Sequence, residues 1–182
     1  MPDEIEEAAA YALWPPHQVA HLHHRRGGHP QLQRRRRVCR LPFTPQPAIT
    51  QALLTVAECP VFVGVGGGTT TGKRSVQMAA VSEMQGAAGC VVNSPATAEM
   101  VEHITNIADI PVIATVVRCD DDAHAKVRAG AKILNIAAGK NTPQVLRELR
   151  EHYPNLPLIA PGGKTPESIR ETIAAGANAI IW

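Results

Sequence analysis

The feature that most constrains the fold is a regular alternation of short apolar runs and helical patterns from residue 58 onward. Each apolar run ends in a polar or glycine-rich turn, and helices of about three turns separate the runs. The predicted strands are residues 61–65, 89–93, 111–117, 133–137, 158–160 and 179–182. The predicted helices are residues 48–58, 75–85, 96–106, 121–129, 143–152 and 166–175. Strands that recur about every 21 to 28 residues with a helix between them predict a parallel α/β sheet built from right-handed crossovers.

Composition supports a single folded unit. The chain has 182 residues, of which 45% are hydrophobic and only 3% aromatic, a balance that suits parallel strands covered by small-residue helices. It contains no apolar run close to the roughly 20 residues that a membrane span needs, so we expect no membrane association. The four cysteines stand far apart, which predicts neither a zinc site nor a disulfide framework and favours a reducing cytoplasm.

The basic charge is concentrated at the N-terminus. Residues 1–40 contain seven arginines and four acidic residues, whereas the remainder is nearly neutral. We therefore interpret residues 1–45 as a disordered or non-homologous basic arm and residues 46–182 as the folded domain. The histidines of the arm are irregularly spaced and have no cysteine or acidic partner beside them. A near-neutral main domain also argues against nucleic-acid binding.

Candidate site residues follow the predicted strands, because a parallel α/β fold binds its ligand at the carboxyl ends of its strands. Two glycine-rich turns lead into helices and predict cradles for an anion. The expected anion-binding residues are Gly66, Gly67, Gly68, Gly162, Gly163 and Lys164, and the candidate catalytic residues are Lys73, Asn93, Arg118 and Asn135. A small phosphorylated or carboxylated metabolite is the expected partner.

The first glycine-rich turn also resembles a nucleotide-binding P-loop. Gly67, Gly72 and Lys73 occupy the motif positions, but Arg74 stands where a magnesium-binding Ser or Thr is required, and Ser75 comes one residue late. No later strand ends in an evident magnesium-binding aspartate. A P-loop protein or kinase therefore remains an alternative hypothesis.

The second turn carries a more specific resemblance. The run Ile159-Ala160-Pro161-Gly162-Gly163-Lys164-Thr165-Pro166, followed by Ala175-Gly176-Ala177, resembles the last two units of phosphate-binding (βα)8 barrels, such as the 2-dehydro-3-deoxy-phosphogluconate aldolases and bacterial barrel proteins labelled hydrolase. The resemblance implies a lyase, isomerase or hydrolase, although Asn135 stands where those aldolases have their Schiff-base lysine. It implies no cofactor, and the residues suggest no metal site. A barrel that binds its ligand without catalysis is a third hypothesis.

A (βα)8 TIM-type barrel needs eight strands, and about six units are recognisable, so we expect the first units to be missing or degenerate. An open parallel sheet exposes unpaired backbone groups along its edges. We therefore expect association with a second copy, as a homo-oligomer.

Overall fold

The computed structural model describes residues 37–39 and 46–181. Its strands are β1 Arg37–Cys39, β2 Val61–Gly66, β3 Gly89–Val92, β4 Val112–Val116, β5 Ile133–Ile136, β6 Leu158–Pro161 and β7 Ala179–Ile181. Its helices are α1 Pro47–Val56, α2 Lys73–Met84, α3 Ala98–Thr105, α4 Asp121–Arg128, α5 Thr142–His152 and α6 Pro166–Ala174, with a short 3₁₀ turn, Gly139–Asn141, before α5.

All seven strands belong to one sheet, run parallel and pair in chain order from β1 to β7. The order never reverses. A doubly wound sheet, in contrast, reverses its strand order at the point where it binds its ligand. Strictly sequential parallel pairing is the connectivity of a (βα) barrel.

The two faces of the sheet are covered differently. One face packs against the helices and forms the larger core, in which residues such as Val63, Met78 and Leu146 are buried. On the opposite face a second cluster consists of strand residues alone: Phe62, Val91, Ile113, Ile133 and Ile159, one from each of β2 to β6. These side chains can contact one another across several strands because the sheet curls. The chain thus forms part of a (βα)8 barrel, with this cluster as the barrel interior.

Local sequence explains where several helices begin. Thr97, Asp120 and Thr165 are N-cap residues, and their side chains accept hydrogen bonds from backbone N–H groups in the first turns of α3, α4 and α6. Such caps satisfy N–H groups that have no partner within the helix. The first turn of α2 is built differently, as described below.

The six predicted strands are all present, which confirms the α/β barrel prediction in its main part. β1 is an additional strand that pairs with β2 and lies inside the range assigned to the basic arm. The rest of that arm, like Trp182, lies outside the described residues. No helix in the described part of the chain has the length and apolar character to cross a membrane.

Candidate functional site

The candidate residues all lie at the carboxyl end of the sheet. Gly66 is the last residue of β2, Asn93 follows β3, and Asn135 is the third residue of β5. Arg118 lies between β4 and α4, and Gly162, Gly163 and Lys164 lie between β6 and α6. The sheet therefore brings these residues to the same end, as the sequence pattern predicts.

The connection from β2 to α2, residues 67–72, forms the first glycine loop. Gly66 and Gly67 have φ angles of 148° and 93°, which side chains rarely tolerate. A β-carbon on Gly67 would lie 2.7 Å from the backbone nitrogen of Asn93, and one on Gly68 would lie 3.7 Å from the Asn93 side-chain nitrogen. These glycines thus allow the loop to pack directly against the end of β3, and they place it beside Asn93.

The first glycine loop is folded by its own backbone. The Gly67 N–H donates to the Thr70 carbonyl over 2.8 Å, and the Ser75 hydroxyl donates to the same carbonyl over 3.1 Å. Ser75 is completely buried. A P-loop needs a hydroxyl that faces the nucleotide's magnesium ion, whereas this hydroxyl faces the loop itself, so the geometry does not favour the P-loop alternative.

The N-terminus of α2 has no side-chain cap and no acidic residue in its first turn. Its N-cap is Gly72, and the first two helical residues are Lys73 and Arg74, both exposed. Among the described residues, the N–H groups of Lys73 and Arg74 have no acceptor. Helix N-termini carry partial positive charge, so two cations at this position are unfavourable unless an anion lies close by.

Asn135 is a polar side chain of the barrel interior. It is 7% exposed, and its Nδ2 donates to the Thr115 hydroxyl on β4 over 3.2 Å. Its Oδ1 is buried without a hydrogen-bond partner in the described structure. A buried carbonyl oxygen left unpaired costs about 1–3 kcal/mol, a cost that natural proteins often accept where a ligand has to be bound.

The connection from β6 to α6, residues 162–165, forms the second glycine loop, and two of its four amide N–H groups already have an acceptor. The Gly162 N–H donates to the Ile181 carbonyl, and the Thr165 N–H donates to the Ser168 hydroxyl. Thr165 and Ser168 form a capping box. Within the described residues, only the N–H groups of Gly163 and Lys164 remain without an acceptor in this loop.

The exposed cations at this end include Lys73, Arg74, Arg118, Lys140 and Lys164. None of them forms an ion pair in the described part of the chain. Sequence reasoning did not select Arg74 or Thr115 as site residues. Arg74 could have been found because it directly follows Lys73, just before the predicted helix 75–85. Thr115 could be recognised only from the strand register, which pairs it with Asn135.

Comparison with known proteins shows the fold alone. No family model matches the chain, and no curated protein sequence does. Among solved barrel structures, phosphoenolpyruvate phosphomutase from Streptomyces platensis subsp. rosaceus is 17% identical, with a TM-score of 0.61 over 75% of this chain and 59% of that one. Inosine 5′-monophosphate dehydrogenase from Legionella pneumophila is 16% identical, with a TM-score of 0.63 over 79% and 48%.

A mandelate oxidase, solved with benzoyl-formic acid, is 18% identical, with a TM-score of 0.62 over 73% of this chain and 51% of that one. The chain thus spans about half to three-fifths of the length of these three structures. At such low identity the comparisons support the barrel fold and do not show which reaction the protein catalyses.

Proposed function

We propose that this chain belongs to a barrel enzyme that acts on a small phosphorylated or carboxylated metabolite, as a lyase, isomerase or hydrolase. The observation that carries the proposal is the uncapped N-terminus of α2, with Lys73 and Arg74 in its first turn, at the carboxyl end of the sheet. The solved relatives include proteins named for phosphoenolpyruvate, inosine 5′-monophosphate and mandelate. Each of these names contains an anionic compound, which supports an anionic ligand for this chain.

The two glycine loops differ in their capacity for an anion. The second loop offers the N–H groups of Gly163 and Lys164, but α6 already has a complete cap and an acidic residue, Glu167, in its first turn. A carboxylate there compensates the helix dipole and repels a second anion. The first loop has neither a cap nor an acid, so we assign the principal anion site to the start of α2 and a secondary contact to the second loop.

The uncharged part of the ligand would contact the barrel interior. Thr115 and Asn135 are polar residues on that face, and Asn93 lies at its rim beside the first glycine loop. In this arrangement, the Asn135 amide hydrogen-bonds a hydroxyl or carbonyl group of the ligand. The amide fixes the ligand's orientation and takes no part in proton transfer, because an amide does not titrate.

One specific observation favours the hypothesis of binding without catalysis. On the interior face of β2 to β7, the described strand residues include no lysine, histidine or carboxylate. General acid–base catalysis needs a titratable group within hydrogen-bond reach of the substrate. Such a group would have to come from the loops, where the lysines Lys73, Lys140 and Lys164 are candidates; Arg118 could stabilise negative charge but stays protonated.

Titration with inorganic phosphate tests the anion site. Lys73→Ala and Arg74→Ala should each weaken phosphate binding by about tenfold, the value expected when a charged hydrogen-bond donor is lost. Lys164→Ala should have a smaller effect. Lys132→Ala is the matched control, because Lys132 is also exposed but precedes β5, at the opposite end of the sheet.

A second readout separates binding from folding. Without phosphate, Lys73→Ala should raise the free energy of unfolding by about 0.3–1 kcal/mol, since it removes a cation from a helix N-terminus. A stabilised variant that still binds phosphate normally would show that Lys73 is a surface residue without a role in binding, and would refute the assignment. Tight magnesium-dependent ATP binding would support the P-loop alternative, and a turnover screen with phosphorylated sugar acids would separate an enzyme from a binding protein.

A further inference from the structure

A cluster of three side chains that offer metal-ligand atoms lies outside the proposed anion site. Cys119 lies between β4 and α4, His124 is in the first half of α4, and His152 is the last residue of α5. Their ligand atoms all lie within 4.8 Å of one another. The Cys119 Sγ and the His124 Nε2 are 3.9 Å apart, and the rings of His124 and His152 meet edge to face with centroids 5.0 Å apart.

We propose that Cys119, His124 and His152 bind one divalent transition-metal ion, with Zn²⁺ as the expected occupant. One thiolate and two imidazoles form a donor set that Zn²⁺ prefers, with a fourth position left for water or another ligand. In a tetrahedral site neighbouring ligand atoms lie roughly 3.5 Å apart. The Cys119–His124 separation is already close to that value, and the exposed His152 side chain has room to close the remainder.

A hydrogen bond outside the cluster prepares His124 for this role. Its Nδ1 lies 2.8 Å from the Tyr153 hydroxyl. When Nδ1 carries the proton and donates it to this hydroxyl, Nε2 presents its lone pair toward Cys119, which is the tautomer that a metal requires. Metal-bound histidines commonly make such a bond through their second nitrogen, so Tyr153 acts as a positioning residue.

The surroundings of Cys119 favour a cation. Burial raises the pKa of its thiol, and the nearby carboxylates of Glu148, Asp120 and Glu151 raise it further. The same carboxylates create a negative potential, in which a divalent cation is attracted. When a metal binds, the Cys119 thiol proton passes to solvent and the thiolate becomes a ligand.

The cluster was not predicted from the cysteine pattern, because it contains one cysteine and its three members come from two segments of the chain. Cys119 and His124 are five residues apart, and His152 follows 28 residues later on another helix. A bound ion would join the β4–α4 connection to the end of α5. We therefore expect metal binding to raise the melting temperature of the chain.

Titration of the full chain with Co²⁺ tests the proposal, since a cobalt–thiolate bond gives a charge-transfer absorption that nitrogen and oxygen ligands do not. To remove competing ligands, the parent chain carries glutamine at the five histidines of the N-terminal segment: His17, His21, His23, His24 and His29. We expect one Co²⁺ per chain with a thiolate band, and displacement of that band by Zn²⁺.

Three variants identify the ligands. Cys119→Ser should abolish the thiolate band, and His124→Gln and His152→Gln should each weaken binding, whereas His103→Gln, on exposed α3 surface, should not. Tyr153→Phe should retain the band but lower Co²⁺ affinity by roughly tenfold or more. Circular dichroism in the presence of a chelator checks that each variant folds.

The absence of a thiolate band in the parent chain would overturn the proposal, as would a band that survives in Cys119→Ser. If Cys119→Ser fails to fold, His152→Gln decides, because this side chain is exposed and its replacement should not disturb the core. Unchanged Co²⁺ affinity in His152→Gln would then refute the three-ligand site.

Discussion

Replacing Arg150 by methionine should lower the free energy of unfolding by about 3 kcal/mol. Arg150 lies near the end of α5, and its guanidinium group connects this helix to two later turns. Nη1 donates to the carbonyls of Tyr153, Pro154 and Leu156, at 3.2, 2.9 and 2.8 Å. Nη2 donates to the Gly176 carbonyl and to the Asn178 Oδ1, each at 2.7 Å.

The size of this loss in the free energy of unfolding depends on which of the acceptors water can reach once the guanidinium group is gone. A hydrogen bond to a charged group contributes about 1.5–3 kcal/mol, but exposed acceptors such as the Pro154 carbonyl are hydrated again when the arginine is lost. We therefore count only the two shortest bonds, to Gly176 and Asn178. Methionine retains the aliphatic stem, which packs against Gly176, so the change measures the guanidinium group. Partial desolvation lowers the pKa of Arg150, which is consistent with a group held in the protein.

Thermal and urea unfolding provide the assay, with Arg147→Met as the matched control. Arg147 lies on the same helix but is largely exposed, and within the described structure its ion pair is a 3.9 Å contact with Glu171. An exposed pair of this kind contributes about 0–1 kcal/mol. For a chain of this size, 3 kcal/mol corresponds to a melting temperature lower by roughly 6–12 °C. Equal shifts in the two variants would refute the reasoning, and Arg150→Lys should recover little, since an ammonium cannot reach the same acceptors.

Three further predictions concern buried polar groups. Lys126 is completely buried and bonds to Asp122 and to the Ser94 carbonyl, so Lys126→Met should cost about 1–3 kcal/mol in urea unfolding, whereas Lys132→Met should be neutral. Burial raises the pKa of Cys90 from 9.0 to about 12, so its thiol should resist alkylation at pH 8, which mass spectrometry can measure. The stability that the buried neutral thiol contributes is complete below pH 9, where the thiol of the unfolded chain is also protonated, and is lost as the pH rises toward 12. Asn135→Leu should change the melting temperature little while ligand binding is lost, because the substitution removes an unpaired buried oxygen but also the donor to the buried Thr115 hydroxyl.

The sequence predicted the strands well because their apolar runs are short, uninterrupted and followed by glycine or polar residues. β5, Ile133–Ile136, shows why: three of its four residues are apolar, and all four are buried. A pattern of this kind is typical of a strand covered on both sides. β1 was harder to find, since Arg37–Cys39 has only three residues and its pairing with β2 depends on contacts far along the chain.

The start of α2 differs from its prediction for a local reason. The sequence favoured a helix from Ser75, because serine is a common N-cap. In the structure the helix begins at Lys73, and Ser75 turns its hydroxyl inward to the Thr70 carbonyl. Gly72 takes the capping position with a φ angle of 58°. Lys73 and Arg74 therefore lie inside the first turn of the helix, where the helix dipole repels their positive charges.

The two glycine loops show what a sequence pattern leaves undecided about an anion site. Both contain glycines between a strand and a helix, and the resemblance to phosphate-binding barrels rests on the second loop. Binding, however, depends on N–H groups that have no partner, and these cannot be counted from glycines. Gly162 donates to Ile181 and allows close packing with Ile169 and Ile180, so this glycine is required by the fold whether or not a ligand binds. Each place leaves two N–H groups without an acceptor in the described structure. The first turn of α6, however, already has a capping box and the carboxylate of Glu167, whereas the first turn of α2 has neither, so the anion site is more strongly supported at α2 than at the second glycine loop.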